Sequence, residues 1–303
     1  LIGMPENLIA TGAKIAEERD VKGKWAFTTD KAVMIPFLQY CPKRELRKKL
    51  YDMYLMRGDN DNENDNKKLI QEIVTLRLQK AKLLGYETYA DYVLEERMAK
   101  TSSNVYDLLR QIWAYSLVKA IEERDEMQKI VIAEGDTFKL KYYDWWYYAE
   151  KIRNEKYALD EDKLKPYFSL DAVRDAVFTL SNKLYGISFK KLDNIPVYHN
   201  DVEVYEVLDN DKQHLAILYV DYYTRANKQG GAWATGFRDQ YYKEGKNIYP
   251  LVSIVFNFPQ PIGEHPSLLS MDEVETFFHE FGHALHAFFS NVTYKRLSGY
   301  VPR

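Results

Sequence analysis

The sequence has almost no cysteine: Cys41 is the single one in 303 residues. An internal disulfide is therefore excluded, which suits a reducing compartment without requiring one. No apolar run approaches the roughly 18 residues that a membrane-spanning helix needs, so no membrane role is expected. Strong charge of either sign is also lacking. Lys and Arg number 42 against 45 Asp and Glu, a net charge of −3, and no basic block stands out. Phosphate backbones are held by clustered basic side chains, so nucleic acid is not an expected partner. There are no internal repeats and no low-complexity linker. What is present is an ordinary globular composition, 46% hydrophobic and 29% charged, with a high aromatic share from 25 Tyr and 14 Phe. This length supports one large or two medium domains with a real core. Aromatics at this density suit a packed helical body or a groove that holds peptide side chains, packing being the simpler reading.

The first two-thirds reads as successive helices. Segments near 7–19, 43–57 and 67–84 carry apolar residues at helical spacing, the last closed by Gly85. Between the second and third lies a polar stretch, Gly58 to Asn66. A calcium loop starting at Asp61 would place Glu72 at its twelfth position, but Asn66 stands where that loop needs Gly. A polar loop ending in an Asp or Asn cap is the better reading. Further helices are expected over 88–99, over 103–134 before Gly135, from the aromatic run Tyr142–Tyr148, and from Ser169 to Leu184 before Gly186. The Glu122–Glu126 charge run reads as a solvated face. Near Pro196 the pattern changes. Val202–Leu208 and Leu215–Tyr222 alternate around Asp209-Asn210-Asp211 and predict a hairpin. Gly230–Trp233 reads as extended, Leu251–Phe258 as an apolar strand, and the chain after Pro266 as helix. The expected fold class is mainly α with a small antiparallel β-sheet, organised as one catalytic region: 1–195 helical, 196–265 sheet, 266–303 the last helix and its continuation.

That last helix carries the chemistry. Ser270-Met271-Asp272-Glu273 fits a capping box, and Asp272, Glu273 and Glu275 favour the positive end of the helix dipole. The periodic Phe277, Phe278, Phe281, Leu285 and Phe289 predict that its other faces are largely buried. His279 and His283 lie four residues apart, hence on one face and about one turn from each other. Two imidazoles so placed suit a single zinc ion. Glu280 is rotated by roughly 100° from His279, beside such a metal, where a carboxylate can take a proton from attacking water. His286, seven residues after His279, would stretch the ligand set along about 10 Å of rigid helix, so it is read as packing or supporting the ligands. The metzincin pattern is excluded, because it needs Gly where His286 stands and His where Phe289 stands. A catalytic zinc takes three protein ligands, yet Ala284 to Arg303 contains neither Asp nor Glu. The third zinc ligand is therefore not expected in this chain.

The string Phe278-His279-Glu280-Phe281-Gly282-His283-Ala284-Leu285-His286 resembles the signature of the thimet oligopeptidase and oligopeptidase A family of zinc peptidases. So do Leu78–Tyr92, Met98-Ala99-Lys100, Trp145–Tyr148, Gly230–Trp233 and Ser298-Gly299, so that the resemblance covers essentially the whole chain. Leu1–Glu6 and Lys24-Trp25 look most like its bacterial peptidyl-dipeptidase (dipeptidyl carboxypeptidase) branch. The resemblance implies a zincin-like helical ellipsoid of the neurolysin type with a deep channel for short peptides, here a fragment cut at both ends. It implies one zinc per complete active site, bound by His279 and His283, with Glu280 as the base. It places Gly231, Ala232 and Trp233 on a strand lining the cleft, and the third ligand, a Glu, shortly after Arg303. The spacing Ser298–Arg303 is one residue shorter than the family's usual Ser-Gly-Thr-x-x-Pro-Arg. The activity implied is release of dipeptides from peptide C-termini. Internal cleavage of short peptides is the alternative, and a catalytically incomplete peptide-binding fragment is a third reading. Short peptides are the expected partners, a monomer the expected state, and the cytoplasm the expected compartment, or the periplasm if a leader has been removed.

Overall fold

A computed structural model of the chain describes residues 3–157, 161–225, 227–261 and 266–299. The chain divides into two compact units, Leu1–Thr29 with Val33–Ala158, and Asp30–Ala32 with Leu159–Arg303.

The first unit is helical: α1 (Glu6–Glu18), α2 (Lys31–Tyr40), α3 (Arg44–Leu55), α4 (Lys67–Leu83), α5 (Tyr89–Leu94), α6 (Ser102–Ala133) and α7 (Trp145–Tyr157). The helix starts follow cap chemistry. Thr88 accepts from the Asp91 amide and Thr101 from the Asn104 amide, while Gly85 and Gly135 end α4 and α6 at positive φ. The aromatic run enters α7 through a single 3₁₀ turn at Tyr142–Asp144. Its burial has a polar reason. Asp144 is fully buried and accepts from Arg44 at 2.8 Å and from Arg47 at 3.0 Å, and Arg47 lies 4.2 Å over the Tyr147 ring. In the polar loop the Lys67 ammonium bridges Asp59, Asp61 and Asp65, so these carboxylates are met by a cation of the protein itself. Asp65, rather than a conventional cap, accepts the Lys67 amide at 3.0 Å.

The second unit is a sheet covered by two long helices. Its elements are α8 (Glu161–Leu164), α9 (Leu170–Tyr185), β1 (Ser188–Lys191), β2 (Val202–Leu208), β3 (His214–Tyr223), β4 (Trp233–Arg238), β5 (Tyr241–Lys243), β6 (Lys246–Ile248), β7 (Leu251–Phe258) and α10 (Met271–Phe288). The order in the main sheet is β1-β2-β3-β7-β4, with β5 and β6 as a separate hairpin. One face supplies the core: Ala216, Leu218, Val220 and Tyr222 of β3 alternate with Val252, Ile254, Phe256 and Phe258 of β7, under Val173 and Val177 of α9 and Phe277, Phe281, Ala284 and Phe288 of α10.

The sheet is mixed, which corrects the antiparallel expectation. β2 and β3 form the predicted antiparallel hairpin, but β7 runs parallel to β3 and antiparallel to β4. The chain leaves β3 for the far edge as β4, turns through β5 and β6, and returns to fill the slot between them. A strand so enclosed is buried on both faces, and Val252 to Phe256 are all buried. Their nearly continuous apolar run, interrupted only by Ser253, carried that information rather than alternation.

Candidate metal and peptide site

α10 begins as its sequence requires. The Ser270 amide donates to Glu273 at 2.8 Å, and the Ser270 hydroxyl accepts from the Glu273 amide at 3.3 Å. This closes the capping box and sets the phase of the helix. Phe277 and Phe281, fully or almost fully buried, fix which side faces the sheet. His279 and His283 then fall on the outer side, both exposed, their ring centroids 5.0 Å apart. Glu280, the residue after His279, is 8% exposed. His286 is exposed, in an open groove with Tyr185, Leu285 and Phe289.

One expectation is corrected here. Phe278 and Phe289 are 39% and 44% exposed, so α10 is not buried on all its other sides. The sheet takes one stripe of the helix, centred on Phe277, Phe281, Ala284 and Phe288. A residue one step of roughly 100° away is carried out of it.

The donor set fits part of a zinc site. Two imidazoles on one face supply two nitrogen ligands of the kind zinc takes. Among the described residues no group of three or more His, Cys, Asp or Glu side chains is arranged to hold a metal ion.

Beside the helix lies a sheet edge. β4 is the last strand of the sheet, and among the described residues no strand pairs with its outer side. Gly231 lies with Gly230 in a bend just before β4, Ala232 follows it, and Trp233 opens the strand. The extended reading of Gly230–Trp233 thus holds only at its end. The segment leading into β4 is anchored at Asp221, the buried end of β3. Asp221 accepts from Arg225 at 2.7 and 2.8 Å, from Lys228 at 2.8 Å and from Tyr198 at 3.0 Å. Burial pushes the Asp221 carboxyl up, but the bonds from Arg225 and Lys228 outweigh it and hold it below the usual carboxylate range. Burial pushes the Lys228 ammonium down, and the Asp221 charge offsets only part of that. The sequence did not single out this cluster; a Lys and an Arg following a buried strand look like surface charges. The end of the chain, Tyr300 to Arg303, lies outside the described residues, and with it the shortened Ser298–Arg303 spacing.

Comparison with known proteins agrees with the motif. The model of Peptidase family M3 matches residues 37–303. The dipeptidyl carboxypeptidase of Escherichia coli strain K12 is 37% identical over 300 residues, covering 99% of this chain and 44% of that protein. Oligopeptidase A of the same strain is 32% identical over 304 residues, covering 99% and 45%. The organellar oligopeptidase A of Arabidopsis thaliana is 36% identical over 271 residues, covering 87% and 34%. The chain belongs to peptidase family M3. It spans less than half the length of these relatives.

Proposed function

We propose that this chain carries the catalytic helix of a zinc peptidase acting on short peptides, and that the whole protein releases dipeptides from peptide C-termini. The observation that supports this is the layout of α10: two exposed imidazoles with centroids 5.0 Å apart, the largely buried Glu280 between them in sequence, and a sheet edge alongside. His279 and His283 would hold the zinc, and we assign the third ligand to a carboxylate outside residues 1–303. Zinc, when bound, supplies a Lewis acid that polarises a carbonyl group and acidifies water.

The chain's own residues do the rest. β4, with Gly231, Ala232 and Trp233 at its start, offers backbone groups to an extended peptide, which binds as an added strand. This aligns the scissile bond along α10. Glu280 takes the proton of the attacking water on a carboxylate oxygen and returns it to the leaving amine nitrogen.

Internal cleavage is the second reading, favoured by the 32% identity to a protein named oligopeptidase A. Product analysis on one N-blocked peptide separates the two: stepwise loss of dipeptides, or a single internal cut. The test of the peptidase reading is zinc content and hydrolysis of the full-length protein and of its Glu280→Gln variant. The expected result is near one zinc per chain in both, with turnover reduced on the order of 10²–10⁴-fold in the variant. Full activity in the variant, or no zinc in either after metal is added back, would overturn it.

A further inference from the structure

Asn257 lies on β7, two residues beyond Val255, which pairs with Trp233 at the start of β4. Continuing that antiparallel register past the end of the ladder sets Gly231 opposite Asn257. There the backbone ladder has stopped and a side chain takes its place. The Asn257 Nδ2 donates to the carbonyl oxygen of Gln229 at 2.8 Å and to that of Gly231 at 2.7 Å. Because both partners are carbonyls, the amide nitrogen and not the amide oxygen must face them. Gly231 has a φ of +96°, so the chain bends out of strand geometry at this residue, and nothing lies within 4 Å of the place a Cβ would occupy. Between the two captured carbonyls sits Gly230. It is exposed, and its amide and carbonyl hydrogen-bond to no described residue. A second tether holds the same segment from below: the Lys228 ammonium, 3% exposed, donates to the Asp221 and Tyr223 carbonyl oxygens at 3.2 and 2.9 Å.

We propose that Asn257 is a positioning residue for the substrate peptide. By binding the carbonyls of Gln229 and Gly231 it extends the usable edge of β4 back to Gly230, whose peptide group pairs with the backbone of an extended peptide. The inference rests on the peptidase reading above. Its chemistry is specific. An edge that accepts a strand must present a donor and an acceptor at a fixed spacing. Without Asn257, the Gln229 and Gly231 carbonyls are free to turn outward, where acceptors would meet the acceptors of the peptide. Asp at this position keeps the shape, but sets a carboxylate against two carbonyl oxygens.

The test uses full-length, zinc-loaded protein carrying Glu280→Gln, so that peptide is bound without turnover. The probe is a fluorescently labelled, N-blocked hexapeptide read by anisotropy, together with a series N-methylated at one backbone amide at a time. Adding Asn257→Ala or Asn257→Asp should raise Kd about tenfold, the loss of roughly one hydrogen bond to the ligand backbone. In the parent, one N-methyl position should weaken binding sharply. In the Asn257 variants that penalty should vanish, a change that general destabilisation would not produce. Urea midpoints check folding. Should Asn257→Ala not fold, Asn257→Asp carries the comparison. An equal N-methyl penalty with and without Asn257, or no binding of the hexapeptide to the parent, overturns the proposal. Failure of the peptidase reading would show elsewhere, as hydrolysis that survives Glu280→Gln.

Discussion

Phe277 and Phe278 are adjacent in sequence, chemically identical, and placed on opposite sides of the rule that seats α10. Phe277 is fully buried, its ring centroid 4.9 Å from that of Phe256 and 6.1 Å from those of Phe258 and Tyr222. Phe278 is 39% exposed. Truncating Phe277 to Ala removes the transfer free energy of a phenyl group and leaves a void. That void is walled by three aromatic rings held on β-strands, which collapse poorly into it. The cost should therefore fall toward the upper end of the usual range for such changes, which is about 3–5 kcal/mol. Against a total stability of about 5–15 kcal/mol, this is a large fraction. Phe278→Ala removes a half-solvated ring and should cost under about 1 kcal/mol. The assay is urea unfolding followed by far-UV circular dichroism, reading the midpoint at constant slope. Equal losses for the two variants, or a loss under about 1 kcal/mol for Phe277→Ala, would refute this account of how α10 is seated.

Two further predictions concern the helical unit. Burial, with the Glu134 carboxylate beside it, pushes the Tyr148 phenol up to about 12. An unfolded tyrosine ionises near pH 10, so this stabilisation is fully present below about pH 10 and is lost as pH rises through about 12. By linkage the loss is about 2 kcal/mol at pH 11.5. Tyr148→Phe lacks the group, so its urea midpoint should fall less than wild type between pH 9 and 11.5; an equal fall would remove the argument. In the loop before α4, Lys67→Met takes away the cation that Asp59, Asp61 and Asp65 share. Amide exchange over residues 59–66 should quicken, and more so at low than at high salt, since exposed charges are screened. Unchanged exchange would mean that backbone turns alone hold the loop.

Much of the fold was legible because local chemistry and tertiary demand agree. Ser169 with Gly186 bracketed α9, and Ser270 with Glu273 fixed the start of α10, within a residue of the observed ends. Where they disagree, reading failed. α2 carries Pro36 inside it, a residue that argues against helix, and its burial of Met34, Phe37 and Leu38 overrides that preference. β1, β5 and β6 are too short, at four, three and three residues, for a period of two to show. The parallel placement of β7 depends on which neighbours it meets, and no periodicity encodes that.

The site divides in the same way. His279, Glu280 and His283 were visible because their spacing is a property of a single helix, and the structure places both imidazoles outward on it. Asn257, Lys228 and Asp221 were invisible because each acts through residues of the loop between β3 and β4 or of the strands that flank it. Their meaning appears only once β7 is inserted between β3 and β4, which brings Asn257 to the point where the ladder with β4 ends. The chemical groups of the site therefore sit on the element that a sequence specifies most locally. The edge proposed to receive the peptide is set by the least local feature of the fold, the crossover that makes the sheet mixed. A substitution that disturbs this crossover should then impair peptide binding while leaving the geometry of the two imidazoles on α10 unchanged.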